Sequence, residues 1–212
     1  MLWTLVIPLK PLARAKSRLS DTAADALRPG LALAFAQDTV AAALAAAAVR
    51  DVAVVTDDAL AGRELSALGA RIVPDEPGTG LNAALAHAAA VVRAARPECP
   101  VAALNADLPA LRPRELHRVL EAAAEFPRAF LPDAAAIGTT LLTAGPGTEL
   151  SPAFGTDSRA RHRESGAREL ALADVDSVRQ DVDTGEDLRA ALALGVGPYT
   201  AAVGARLPIP GQ

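Results

Sequence analysis

The chain has a single cysteine, Cys99, and one each of tryptophan, tyrosine and methionine; aromatics make up only 3% of its 212 residues. One cysteine excludes an internal disulfide and a Cys-based zinc cluster, and a reducing, cytoplasmic location is expected. With so few rings the core must be built from Ala, Leu and Val, for which a hydrophobic fraction of 51% is ample. The net charge is −4 and no basic stripe carries interleaved aromatics, so no nucleic-acid partner is expected. No run reaches the ~18 uninterrupted apolar residues of a membrane span. The first apolar run stops at Pro8 with no basic segment before it, so a signal peptide is not expected either. Also missing are a G-x-x-x-x-G-K-[ST] phosphate loop, a G-x-G-x-x-G after a strand and a G-x-S-x-G nucleophile turn.

What is present begins with I-P-L-K-P-L-A-R-A-K-S-R-L, Ile7 to Leu19. Four cations, Lys10, Arg14, Lys16 and Arg18, lie there without an acid among them. They follow an apolar run, Leu2 to Ile7, that reads as a buried strand, and they precede a helical pattern. A strand opening into a basic loop and then a helix can hold a phosphorylated ligand at the carboxyl end of the strand. The plainer alternative is a solvated loop with scattered charges.

The chain then alternates. A helix is expected over Ala23 to Ala48, or beginning only near Pro29, which suits a first helical position. Further strands are expected over Asp51–Thr56, Ala70–Val73 and Val101–Leu104, and helices over Leu60–Leu68, Leu81–Ala95 and Pro113–Ala124. Arg128–Pro132 and Thr139–Thr143 read as an added antiparallel pair, Val178–Val182 as a last strand and Thr184–Leu194 as a last helix. Residues 1–196 form one domain and 197–212 a tail, extended or poorly ordered. Repeated strand–helix units imply an α/β fold: a mixed, mainly parallel sheet between two helical layers, with ligands at the carboxyl ends of the strands.

Three carboxylates are the second signal. Asp181 and Asp183 stand two apart in D-V-D-T, so an extended backbone puts both on one face. Asp107 directly follows the Val101–Leu104 strand. If these segments are neighbours, the three groups converge, and a hard cation such as Mg²⁺ fits them. Like charges ~4 Å apart repel by about 4 kcal/mol at an effective dielectric near 20, so three carboxylates beside a polyphosphate need divalent cations between them. The alternative is that Asp181 and Asp183 cap the following helix. His87 reads as a packed helix residue and His117 as a helix-surface one. His162, in the basic stretch Ser158 to Arg163, is placed to touch an anion.

Taken together, I-P-L-K-P-L-A-R-A-K-S-R-L, N-A-D-L-P-A-L, L-P-D-A-A-A-I-G-T-T-L-L, F-G-T-D-S-R-A-R-H and D-V-D-T resemble the guanylyltransferases of coenzyme F420 biosynthesis. These act on 2-phospho-L-lactate or phosphoenolpyruvate, and the resemblance runs from about residue 3 to residue 194. It implies a nucleotide-diphospho-sugar transferase type of fold, GTP as co-substrate, Mg²⁺ (one or two ions), and pyrophosphate as by-product. By the resemblance, Asp107, Asp181 and Asp183 are metal ligands, and Thr139 or Thr140, Gly155 and Ser158 hold the acid's carboxylate. Gly80, Leu81 and Asn82 face the nucleotide. The acid's phosphate would attack the α-phosphorus of GTP, with Lys10, Lys16 and Arg14 stabilising the triphosphate and Asp107 acting in catalysis. Asp75 or Glu76 is a candidate contact for guanine, and a plain turn is the competing reading. Ser158 is expected to offer both N–H and hydroxyl to the carboxylate. The partners expected are GTP and a phosphorylated three-carbon acid, with transient hand-over of product to the next enzyme. The Ala- and Arg-rich composition, typical of a high-GC genome, favours phosphoenolpyruvate by family association. A molybdenum-cofactor or sugar-phosphate nucleotidyltransferase and a non-catalytic GTP-binding module are the competing readings.

Overall fold

A computed structural model describes residues 1–14, 27–76 and 78–205, with no account of the Arg14 side chain. Strand β1 (Trp3–Pro8) is buried along nearly its whole length, as its unbroken apolar run requires of a central parallel strand. It lies between β2 (Val49–Val55) and β4 (Val101–Leu104), parallel to both, and β3 (Arg71–Val73) adds in parallel outside β2. On the other side β6 (Thr139–Ala144) runs antiparallel to β4 and to β5 (Arg128–Pro132), and β7 (Arg168–Glu169) pairs with β5 in parallel. The order is therefore β3-β2-β1-β4-β6-β5-β7, with β6 alone reversed.

Helices cover both faces. On one, α1 (Arg28–Leu44), α2 (Ala59–Ala67) and α4 (Pro113–Ala123) bury Ala36, Val40, Leu65, Leu116 and Leu120 against Leu5, Ile7 and Leu104. On the other, α3 (Leu81–Ala95) packs Leu85, Ala88 and Val92 against Val6, Val101, Ala103 and Leu142. Each fully buried Leu or Val contributes about 1.5–3 kcal/mol, whereas the many alanines mainly let helices approach the sheet closely. The expected three-layer α/β architecture is what forms.

After β6, α5 (Ser158–Glu164) and α6 (Asp176–Arg179) are short, and α7 (Gly185–Leu194) follows. Two expectations fail here. Val178–Val182 is not a strand: both long edges of β4 are taken by β1 and β6, so Val178 is buried from the single turn of α6 and Val182 from the irregular segment beyond it. The tail, in turn, contains α8 (Pro198–Gly204), packed on α1. Its first turn is held by the buried Asp38 carboxylate, which accepts from the N–H of Tyr199 and of Thr200 at 3.1 and 2.8 Å. Among the described residues no helix is long and apolar enough to cross a membrane.

Candidate active site

A cavity of about 750 Å³ opens at the carboxyl ends of the parallel strands. Its floor is made where β4 ends. The chain leaves Leu104 through Asn105, Ala106 and Asp107, and the N–H of Val182 donates to the Asp107 carbonyl at 3.1 Å. That bond sets the 181–183 segment beside the end of β4, and Asp107, Asp181 and Asp183 all line the cavity. Asn105 Nδ2 donates to Asp181 Oδ2 at 3.1 Å, fixing that carboxylate. The capping alternative for the pair does not hold. Thr184 is the N-cap of α7, and in its capping box the Asp187 carboxylate accepts from the N–H of Thr184, with the N–H of Asp183 on the same oxygen.

The opposite wall joins the start of β6 to the loop before α5. Thr139 lines the cavity; Thr140 does not, being wholly buried with its hydroxyl unpartnered among the described residues. Of the two candidates, Thr139 is the one the cavity reaches. Phe154, Gly155 and Ser158 also line it, and Gly155 takes φ +110°, a conformation that suits glycine. The Ser158 N–H is used inside this turn, donating to the Gly155 carbonyl at 3.1 Å, so only its hydroxyl is left for a ligand.

His162 does not touch a solvent anion. It is wholly buried, bonded to Thr139 Oγ1 at 2.9 Å and accepting from the Ala153 N–H at 3.0 Å. Burial, with Arg128 and Arg161 nearby, pushes its pKa down to about 4.

Of the other residues singled out, Lys10 and Leu81 line the cavity. Asn82 does not: its amide group clamps the backbone of Phe154, donating to the carbonyl at 3.1 Å and accepting from the N–H at 2.7 Å. Gly80 is the N-cap of α3 at φ +118° and does not line the cavity. Asp75 and Glu76 also lie off it: Asp75 accepts from Gly78 N–H, and Glu76 stands 3.9 Å from His87. His117 pairs with Glu121 on the surface of α4. Lys16 and Arg18 lie outside the described residues, as does the Arg14 side chain.

Two lining acids were not singled out by sequence. Asp133, after β5, accepts from the N–H groups of Ile137 and Gly138 and so shapes the turn into β6. Its signal was an Asp opening a short turn that closes on Gly138. Asp157 stands at φ +54° before α5. Arg159 ties α5 to the same turn, donating to the Ala136 carbonyl and pairing with Glu169, whose carboxyl is held below its usual range by Arg159 and Arg163.

The cavity thus carries five carboxylates against one described cation, Lys10. Such a surface repels a polyphosphate unless divalent cations intervene. Among the described residues no group of three or more acidic, His or Cys side chains is arranged to hold a metal ion by itself. A cation held there would need waters and substrate phosphates among its ligands, as Mg²⁺ commonly has.

The chain is matched along residues 3–207 by the family model described as guanylyl transferase CofC like. A phosphoenolpyruvate guanylyltransferase of Streptomyces avermitilis is 82% identical over 211 residues, covering 100% of this chain and 98% of that protein. One from Streptomyces coelicolor is 82% identical over 212 residues and covers 100% of both. Among solved structures, one from Desulfovibrio desulfuricans assigned to the nucleotide-diphospho-sugar transferases superposes with a TM-score of 0.69 at 16% identity, over 97% of this chain and 95% of that one. That likeness gives the fold, and the expected nucleotide-diphospho-sugar transferase type is the one observed. Cavity, fold and family match agree, and the chain belongs to the CofC-like guanylyl transferases.

Proposed function

We propose that this chain transfers GMP from GTP to the phosphate of phosphoenolpyruvate, releasing pyrophosphate and giving enolpyruvoyl-2-diphospho-5'-guanosine. A phosphate oxygen of the acid forms a bond to the α-phosphorus as the bond from that phosphorus to the bridging oxygen of pyrophosphate breaks. The attacking oxygen is already ionised near neutral pH, so no general base is needed, in keeping with a site whose described cavity wall carries no histidine. Lys10 faces the departing pyrophosphate, the role also proposed for Arg14 and Lys16 of the basic segment. Thr139, Gly155 and Ser158 hold the acid's carboxylate, and Leu81 gives the nucleotide an apolar wall. Asp107, Asp181 and Asp183 hold Mg²⁺, which when bound offsets charge on the α-phosphate. The protein's part is then positioning and charge neutralisation, the main terms in phosphoryl transfer.

The observation that carries this reading is one cavity lined by the three aspartates, Lys10 and the Thr139–Ser158 wall. Its volume suits two small polar substrates. The test is pyrophosphate release with GTP and Mg²⁺, with phosphoenolpyruvate and 2-phospho-L-lactate run side by side and the product weighed by mass spectrometry. Phosphoenolpyruvate is expected to be guanylylated with the higher kcat/KM. Release with 2-phospho-L-lactate alone would move the substrate to the saturated acid. Release with neither, under conditions where GTP binds, would overturn the reading.

A further inference from the structure

His162 sits behind the acid-facing wall and makes two polar contacts, each to a different strip of it. Its Nε2 accepts the Ala153 N–H at 3.0 Å. A backbone N–H only donates, so Nε2 carries no proton, and the proton of the neutral ring is on Nδ1. Nδ1–H therefore donates to Thr139 Oγ1 at 2.9 Å. Phe154 packs on it in a T-shaped pair and Phe130 in a tilted one, at centroid distances of 5.0 and 5.8 Å, and the residue is wholly buried. Its depressed pKa keeps it in this neutral form across the physiological range.

A threonine hydroxyl that accepts from an imidazole must send its own proton elsewhere. Among the described residues Thr139 Oγ1 has no other hydrogen-bond partner, and Thr139 lies on the cavity wall. We propose that His162 is a positioning residue for acid recognition: by donating to Thr139 it makes that hydroxyl a donor toward the substrate carboxylate, and by accepting from Ala153 it fixes the loop that presents Gly155 to the same group. One buried ring thereby sets both the polarity and the spacing of the carboxylate subsite. The inference rests on the reading that Thr139 and Gly155 hold that carboxylate.

The two contacts are separable by isosteres. In His162→Asn the side-chain amide nitrogen stands near the place of Nδ1 and still donates to Thr139. In His162→Gln the amide oxygen stands near the place of Nε2 and still accepts from Ala153, but nothing donates to Thr139. The expected result is a roughly tenfold higher KM for the acid in His162→Gln, the scale of one hydrogen bond to a charged group, with KM for GTP unchanged. His162→Asn should recover most of that loss, and His162→Gln should add little on a Thr139→Val background. Equal KM in both isosteres, following their thermal stability, would reduce His162 to a packing role and overturn the inference. If Thr139→Val leaves the acid's KM unaltered, the carboxylate reading itself fails and the inference with it. If Thr139→Val raises KM while His162→Gln does not, only the inference fails. A measurement without any variant completes the test. Nitrogen NMR of ring-labelled histidine should find the Nδ1–H tautomer at His162, and the Nε2–H tautomer would overturn the inference.

Discussion

The N–H of Val182 donates to the carbonyl oxygen of Asp107, and this 3.1 Å bond joins two acidic segments that are far apart in the chain. It leaves the Asp181 and Asp183 side chains on the cavity side and sends Val182 into the apolar cluster with Leu31, Phe35 and Leu188. One residue anchors the segment, and its two neighbours supply charge. The acidic floor therefore depends on packing against α1 and α7 as much as on the aspartates themselves.

Replacing Asp181 with Asn retains an acceptor for Asn105 but removes a charge from the proposed cation site. Pyrophosphate release is expected to fall at least about a hundredfold, the usual scale for a lost electrostatic group. Thermal stability should stay within about 0.5 kcal/mol of the parent. Turnover at the parental rate would remove Asp181 from the site.

Asn82→Ala breaks both hydrogen bonds to Phe154 and frees the loop that carries Gly155. The expected cost is about 1–3 kcal/mol, read as a Tm drop of about 2–4 °C per kcal/mol for a chain of this size. The KM for the acid should rise as well. A variant whose Tm and KM match the parent would show that the clamp is dispensable.

Gly197→Ala would set a Cβ against the buried Asp38 carboxylate that caps α8. Displacing that carboxylate leaves the Tyr199 and Thr200 N–H groups unpaired, a loss of about 1–3 kcal/mol. Amide hydrogen exchange should show α8 opening ahead of the sheet. Protection equal to the parent in 198–204 would refute the role given to Asp38.

The pH dependence of stability follows from His162, whose folded pKa of about 4 lies below its ordinary value of 6.5. In that window the unfolded chain binds the proton and the folded chain does not, so stability is full above the ordinary value and falls as pH drops through the window. The loss attributable to His162 is about 3 kcal/mol by the size of the shift. Asp38 works in the opposite sense: burial raises its pKa, so acidification favours the fold through that group. Melting curves between about pH 7 and about pH 4 should therefore slope less steeply in His162→Gln than in the parent. Parallel slopes would contradict the assignment.

Much of this was legible in the sequence where one physical cause dominates. The apolar runs of β1, β2 and β4 read as buried strands, and the Ala-rich stretch from Leu81 to about Ala95 read as α3. Asp107, Asp181 and Asp183 were singled out from their motifs, and the fold brings all three to one cavity, although the Asp181–Asp183 segment is not the strand end that its spacing suggested. What failed depended on long-range packing. Val178 and Val182 look like strand positions, but whether a strand pairs depends on a free sheet edge, which no local pattern reveals. The helix at 198–204 is seven residues long and owes its first turn to Asp38, remote in the chain. His162 looked like an anion contact within S-R-A-R-H-R; only the assembled fold puts it behind Thr139. Asn82 was expected in a loop that meets the nucleotide, yet it lies in the first turn of α3 with its amide committed to Phe154.

Asp107 and the Asp181/Asp183 pair are proposed to act together as one cation site beside the nucleotide. Titrating Mn²⁺ into the GTP-bound protein, followed by electron paramagnetic resonance, tests this without turnover. Asp107→Asn and Asp181→Asn are each expected to weaken Mn²⁺ binding by roughly tenfold or more, and the double variant should lose little beyond either single one. Parental Mn²⁺ affinity in Asp107→Asn, or losses that simply add, would show that the two segments do not share an ion.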